Sequence, residues 1–428
     1  MSFNIVEFLK SLVSLNVAEY LKTVFGDQAW VNFVSDVLGV VIISTFCLLI
    51  VIFLIWLERK VIARMQDRIG PNRVGGRYGL LQTVADVIKL LIKEDITPAG
   101  ADKLAYWLAP FLTVMAALLI WAVMPFAPGV IGVDLGIGVF YVLAVSSASV
   151  VALLLAGWGS NNKYALLGAF RSVAQLVSYE VPMILALLVP ILLARSMSTV
   201  DIVEAQTVPF IFIVPLAAVI FMISALAETG RTPFDLLEAE SEIVSGFHVE
   251  YGGMKFGMFF LAEFISTLFM SGFFTTIFLG GYRLFGLENL VIGDGWAVGH
   301  LFGLIIFFVK MFAVYFVFIW IRATWPRVRV DQILNFNWKF LVPLSLVLIL
   351  TVAVLDKVIP ANAGIYARSS ILLLANLLLA MIAIEIMRVV ARRKRKESSG
   401  DAALVVSEDL HHDHDANDSH HEVATAAH

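Results

Sequence analysis

The stretch VLGVVIISTFCLLIVIFLIWL, residues 37–57, carries no charge and no proline in 21 positions. A helix of that length rises about 30 Å, the thickness of a bilayer's hydrocarbon core. In lipid every backbone N–H and C=O must be satisfied internally, so only helices or closed barrels can span. The ten-residue alternation of barrel strands does not occur, and the stretch is read as a transmembrane helix.

Further apolar runs lie near 104–125, 136–157, 177–194, 209–227, 257–280, 298–321, 340–355 and 369–388. Together they predict an all-α polytopic membrane protein with about nine transmembrane helices and folded cytoplasmic loops. The whole composition agrees: 428 residues, 60% hydrophobic and 15% charged, with a mean hydropathy of +0.89. Residues 1–35 interleave Glu7, Lys10, Glu19 and Lys22 with apolar positions, a pattern expected of an amphipathic helix on the membrane surface and not of a cleavable signal. Residues 36–388 form the bundle. Residues 389–428 run from the basic RRKRK into HHDHDANDSHHEVATAAH, a composition read as a disordered tail. The single cysteine, Cys47, lies inside the first apolar run, which excludes disulfides as an organising feature.

Basic residues set the expected orientation. With Met1 outside, segments 58–103, 158–175, 228–256, 322–339 and 388–396 fall on the cytoplasmic side and hold 23 Lys and Arg. The outer connections hold only Arg195, Arg283, Lys357 and Arg368, so the C-terminus is expected in the cytoplasm.

The longer inner connections are where chemistry is expected. AETGRTPFDLLEAESEIVSGFHVEY, residues 227–251, packs six carboxylates beside one Arg and one His. Thr232-Pro233-Phe234-Asp235 has the pattern of a helix start, with an N-cap hydroxyl, a proline at the first helical position and an acid three residues after the cap. A helix is therefore expected from Pro233 to about Gly246. On it Asp235, Glu238 and Glu242 share one face while Glu240 points away. Such stacked acids are locally unfavourable, and held against a bundle they would titrate as a coupled set. Within or at the ends of the spans lie Glu180, Glu263, Lys310 and Glu385. A charge at mid-span costs about 2.5–3.5 kcal/mol on insertion scales, so Lys310 and Glu263 are read as facing partners or water on an ion pathway, with Glu385 snorkelling to the interface. The first inner connection adds Glu58, Arg59, Arg64 and Arg68 without any phosphate-cradling glycine pattern, Cys or His ligand set, or nucleophile and base. Nucleotide, flavin, metal and iron–sulfur binding by this chain find no support, and nothing points to nucleic acid.

Four blocks then match a known family in order: ERKVIARMQDRIGPNRVG with GLLQTVADVIKLLIKED from Glu58, GWGSNNKYALLGAFRSVAQLVSYEVP from Gly157, AETGRTPFDLLEAESEIVSGFHVEYGGMKFGMFFLAEF from Ala227, and RATWPRVRVDQILNFNWKFLVP from Arg322. Over about residues 39–345 the chain resembles the H subunit of NADH-quinone oxidoreductase, the proton-pumping respiratory complex I of bacterial inner membranes. The resemblance implies a non-redox-centre subunit of a translocase, without activity of its own, which takes quinone as substrate from the bilayer. It also implies partner subunits in both the hydrophilic and membrane arms, which carry the FMN and iron–sulfur clusters. On this resemblance Glu58, Arg59, Arg64, Arg68, Arg171 and Asp235 belong to the quinone chamber. Glu180, Glu228, Asp235, Glu238, Glu240, Glu242, Glu250 and Glu263 carry coupling to protons, joined by Lys310 on the strength of its mid-span position alone, and Arg322 and Arg329 belong to the last shared loop. The chain departs from the family pattern at Gly230, Leu237 and His248, and at Gly76-Arg77-Tyr78. His248 adds a group that titrates near neutrality, or a hydrogen-bonding replacement for an amide. The equivalent subunit of a membrane-bound hydrogenase or other quinone-reducing complex, an ion transporter and a passive membrane anchor stand as alternatives.

Overall fold

The computed structural model describes residues 29–235, 246–284, 296–359, 364, 366–390 and 392, and forms two compact units, one ending at Leu373 and the other starting at Leu374. The expected helix over residues 1–35 lies largely outside the described residues, as do Glu238, Glu240, Glu242 and nearly all of the 389–428 tail. Among the described residues eight helices are long and apolar enough to cross a membrane.

The first unit starts with α1 (Ala29–Met65), which begins before the expected boundary and runs past it, so Glu58, Arg59 and Arg64 sit on a helix and not in a loop. Nothing between Leu57 and Met65 breaks a helix. It stops where Asp67 adopts φ 54° and the Arg68 N–H bonds the Ala63 carbonyl at 2.8 Å, a Schellman-type closure. The amphipathic α2 (Gln82–Ile92) follows, then α3 (Lys103–Leu119, continued by a 3₁₀ turn to Val123), α4 (Gly138–Gly159) and α5 (Lys163–Ala194). Asp102 and Asn162 cap α3 and α5, each accepting the N–H two residues on.

The apolar run expected over 209–227 is interrupted. It follows the short α6 (Thr199–Ala205) and divides into α7 (Phe210–Ile213) and α8 (Pro215–Glu228), because Pro215 brings no N–H and Val214 leaves helical geometry at φ −130° and ψ 63°. The 14 residues of α8 rise only about 21 Å, short of a full span. Next come α9 (Gly253–Phe278), α10 (Trp296–Thr324) and α11 (Val330–Phe336). A π-turn over Asn337–Leu341 joins α11 to α12 (Val342–Val358), and α13 (Tyr366–Val390) follows, entering the second unit at Leu374.

Within the first unit α3 packs on α4 and α9, α5 on α4, α8 and α12, and α9 on α1 and α10. Prolines inside these helices leave carbonyls open, and distant side chains take them. Pro110 removes the N–H that would bond the Tyr106 carbonyl, and the Tyr251 hydroxyl donates to it at 3.2 Å. Pro182 likewise frees the Ser178 carbonyl, which accepts from Asn337 Nδ2 at 2.5 Å. The segment after residue 245 is seated on α5 by a backbone crossing: a Cβ on Gly168 would come within 2.7 Å of the Gly246 carbonyl carbon, and Gly246 itself has φ 70°. Only glycine serves at both positions.

Candidate functional site, a buried charge cluster between two cavities

Where α1, α9 and α10 meet the turn after α8, four charged side chains converge. Glu58 on α1 is buried, and its Oε1 accepts from Arg231 Nη1 at 2.5 Å and also from Arg322 Nη1 at the end of α10. Arg231 is equally buried; its Nε lies 3.0 Å from Glu263 Oε1 on α9, and its guanidinium stacks 4.6 Å from the Phe264 ring. Burial pulls the Arg231 pKa down, but the carboxylates of Glu58 and Glu263 more than reverse this, so it stays charged. Two carboxylates and two guanidiniums thus cancel inside the bundle. The Tyr315 hydroxyl, fully buried on α10, feels all four charges.

The turn that carries Arg231 explains why the expected helix does not begin at Pro233. Residues 232–234 form a turn and bend. The Phe234 N–H bonds back to the Arg231 carbonyl at 2.9 Å, and the Phe234 carbonyl, which a helix would need, accepts from Gln175 Nε2 at 2.8 Å. The Pro233 carbonyl is taken by the Val328 N–H at 3.2 Å, and Asp235 pairs with Arg327 at 2.8 Å. Tertiary partners override the local capping pattern.

Two cavities flank the cluster. One, of about 540 Å³, lies between α1, α2 and α9 and is lined by Val51, Ile55, Val87, Leu90, Phe260 and Phe264, with Glu58, Arg59, Thr83, Asp86, Lys89 and Arg322 as its polar groups. Arg59 is held there by Asp86 at 2.5 Å. The second, of about 100 Å³, is lined by Glu228, Glu263 and His248 with Thr113, Ser149, Thr229 and Ser266. Glu263 therefore touches both the guanidinium cluster and the acidic cavity. Beyond it Glu228 and Glu180 act on one another electrostatically.

Other expected site residues lie apart. Arg64 and Arg68 are exposed, Arg68 lining an outer cavity with Arg59. Arg171 is half-buried on α5. Glu250 accepts from Asn162 Nδ2 at 2.7 Å and lines a separate surface cavity. Arg329 is the N-cap residue of α11, its N–H bonding Gln332 Oε1 at 3.4 Å. Lys310 donates to the carbonyls of Leu279, Gly281 and Arg283 beyond the end of α9, 16 residues or about 24 Å along from Glu263, and so belongs to a helix terminus and not to the cluster. His248 does not titrate near neutrality: burial pushes its pKa down to about 4, Asp235 opposing, and its ring packs on Phe247 and Phe256 at 5.0 and 5.2 Å. Sequence reasoning passed over Arg231, the cation at the centre, and Arg327 and Asp86; the signal for Arg231 was its position as the lone Arg of the acidic stretch.

These features define a class: a multi-span helical membrane protein with a neutralised charge cluster enclosed between an apolar cavity and an acidic one. The chain belongs to the NADH dehydrogenase family, whose profile matches residues 38–353. Among its relatives, the NADH-quinone oxidoreductase H subunit of Dehalococcoides mccartyi (strain CBDB1) is 49% identical over 307 residues, 72% of this chain and 82% of that one. The corresponding protein of Geobacillus kaustophilus is 50% identical over 69% of this chain and 86% of its own, and that of Bacillus mycoides 44% identical over 77% and 96%.

Proposed function

We propose that this chain is the membrane subunit in which a proton-pumping NADH:quinone oxidoreductase admits quinone and turns its reduction into proton movement. The observation that carries this reading is the shared position of Glu263 and Arg231 between the apolar 540 Å³ cavity and the acidic one. The larger cavity suits an isoprenoid quinone: its walls are mostly aliphatic and aromatic, and its polar groups are Glu58, Arg59 and Arg322 with Thr83, Asp86 and Lys89 of α2. Iron–sulfur clusters on partner subunits supply the electrons.

Reduction of a quinone to the quinol takes up two electrons and two protons. Negative charge that arrives ahead of the protons acts strongly in a low-dielectric space and attracts Arg322 and Arg231. Each guanidinium drawn toward the cavity leaves Glu58 or Glu263 less compensated, and a carboxylate in that condition gains a proton more readily. Glu263 can pass the change to Glu228 across the smaller cavity, and Glu228 to Glu180. Asp235, held by Arg327, fixes the loop that carries Arg231. The 23-to-4 imbalance of basic residues supports a cytoplasmic position for this end of the bundle, and the bacterial relatives support an inner-membrane location.

Glu228→Gln tests the route, because it removes a titratable group while keeping size and hydrogen bonding. Assembled complex carrying it should reduce quinone with protons pumped per electron pair at least halved, read from acidification of inverted vesicles against NADH oxidation. An unchanged ratio at wild-type turnover would sink the route through Glu228.

A further inference from the structure

At the other end of the bundle, three of the four basic residues in the sparse outer connections meet. Arg195 caps the C-terminus of α5 in left-handed geometry (φ 58°), Lys357 lies in the last turn of α12, and Arg368 sits in the first turn of α13. With Leu192, Ala353, Asp356 and Ile359 they line a cavity of about 630 Å³. Arg195 lies 20 residues beyond Gln175, whose side chain holds the Arg231 turn, so the cavity is about 30 Å away along α5, at the opposite membrane surface.

Helix dipoles account for Arg195 and Lys357 at C-terminal ends, but they oppose Arg368 at an N-terminal one. Asp356 is the one carboxylate in the lining and is already paired with Arg368. Arg195 and Lys357 have no ion pair among the described residues. The cavity therefore keeps an excess of positive charge where the chain otherwise avoids it. Below it, Leu346, Leu350, Val354 and Val358 stand exposed at intervals of four along α12 and form one apolar stripe that runs the height of the helix toward Lys357.

We propose that this cavity binds the phosphate headgroup of an anionic phospholipid, whose acyl chains lie along the α12 stripe. The cations supply the headgroup contacts and the stripe a hydrocarbon surface, an arrangement a free anion would not need. The site stands independently of what binds at the far cluster.

The test uses the assembled complex, delipidated in detergent and placed in phosphatidylcholine nanodiscs with a photoactivatable phosphatidylglycerol. Crosslinks should map to residues 346–359 and 192–195. Arg195→Gln with Lys357→Gln should weaken labelling roughly thirtyfold, at about fivefold for each basic residue near a membrane surface, while Arg195→Lys with Lys357→Arg retains it in equally assembled complex. The proposal is overturned by equal labelling from a photoactivatable phosphatidylcholine, by labelling that survives the double Gln substitution, by loss of labelling in millimolar inorganic phosphate, or by crosslinking of these residues to a neighbouring subunit in place of lipid.

Discussion

Arg231 and Lys310 are both cations drawn into the bundle, and opposite kinds of partner hold them. Arg231 is matched by the carboxylates of Glu58 and Glu263, which can gain or lose protons. Among the described residues Lys310 is matched by the carbonyls of Leu279, Gly281 and Arg283, which cannot. Carbonyl dipoles left open beyond a helix terminus form a fixed receptor for positive charge. Carboxylates form one whose strength depends on events around it. Only the carboxylate neighbourhood can report the arrival of charge in the adjoining cavity. A charged residue within a span is thus informative about function only once its partner is known.

Three substitutions probe this contrast. Arg231→Met should have the largest effect, since it strands Glu58 and weakens the compensation of Glu263; losing one member of a buried pair costs about 3–5 kcal/mol. The expected outcome is a marked drop in thermal stability of the purified complex and loss of quinone turnover, and a variant that kept both would break the distinction. Lys310→Met removes the donor shared by three carbonyls and should cost about 1–3 kcal/mol. Melting should shift downward while the ratio of protons pumped to NADH oxidised stays at the wild-type value; a changed ratio would move Lys310 into the responsive class.

The smallest effect belongs to His248, beside the acidic cavity. Its pKa is about 4 in the folded chain against an ordinary 6.5, so the unfolded chain takes up the proton first as pH falls. Stability from this group is complete above about pH 6.5 and is lost progressively down to about pH 4. His248→Asn should flatten that part of the curve of melting temperature against pH and leave the curve above pH 7 unchanged.

What could be read from the sequence follows the range of the forces involved. Spans are announced by contiguous apolar residues, and every expected run except 209–227 became a helix long enough to span, with 177–194 extended backward to Lys163 because nothing in YALLGAFRSVAQLV stops a helix. The run at 209–227 looked the same in hydropathy, but Pro215 divided it. The cluster was less visible. Glu58 and Arg231 are 173 residues apart and Glu58 and Arg322 are 264 apart, distances at which no periodicity carries information. The position of Glu263 inside a span brought it out and the resemblance brought out Glu58, whereas Arg231 was hidden by the six carboxylates around it. Lys310 was legible as a charge inside a span, but its partners among the described residues were not, because they are backbone atoms that every residue possesses. The helix start at Pro233 met every local rule and gave way to Gln175, Arg327 and Val328, all remote in the chain.

The two prolines whose vacated carbonyls are filled from elsewhere have a consequence for how the bundle keeps its alignment. An uninterrupted helix offers a neighbour the same smooth surface at every turn, so apolar packing alone lets two helices slip by a step. Pro110 and Pro182 each open a single socket at one height, and Tyr251 and Asn337 are the plugs that fit them. Each pair works like a key in a keyway: it fixes the axial position of a distant segment against its helix. Replacing either proline by alanine would bring a helical N–H into the socket to share the carbonyl with the plug, and so loosen its seat.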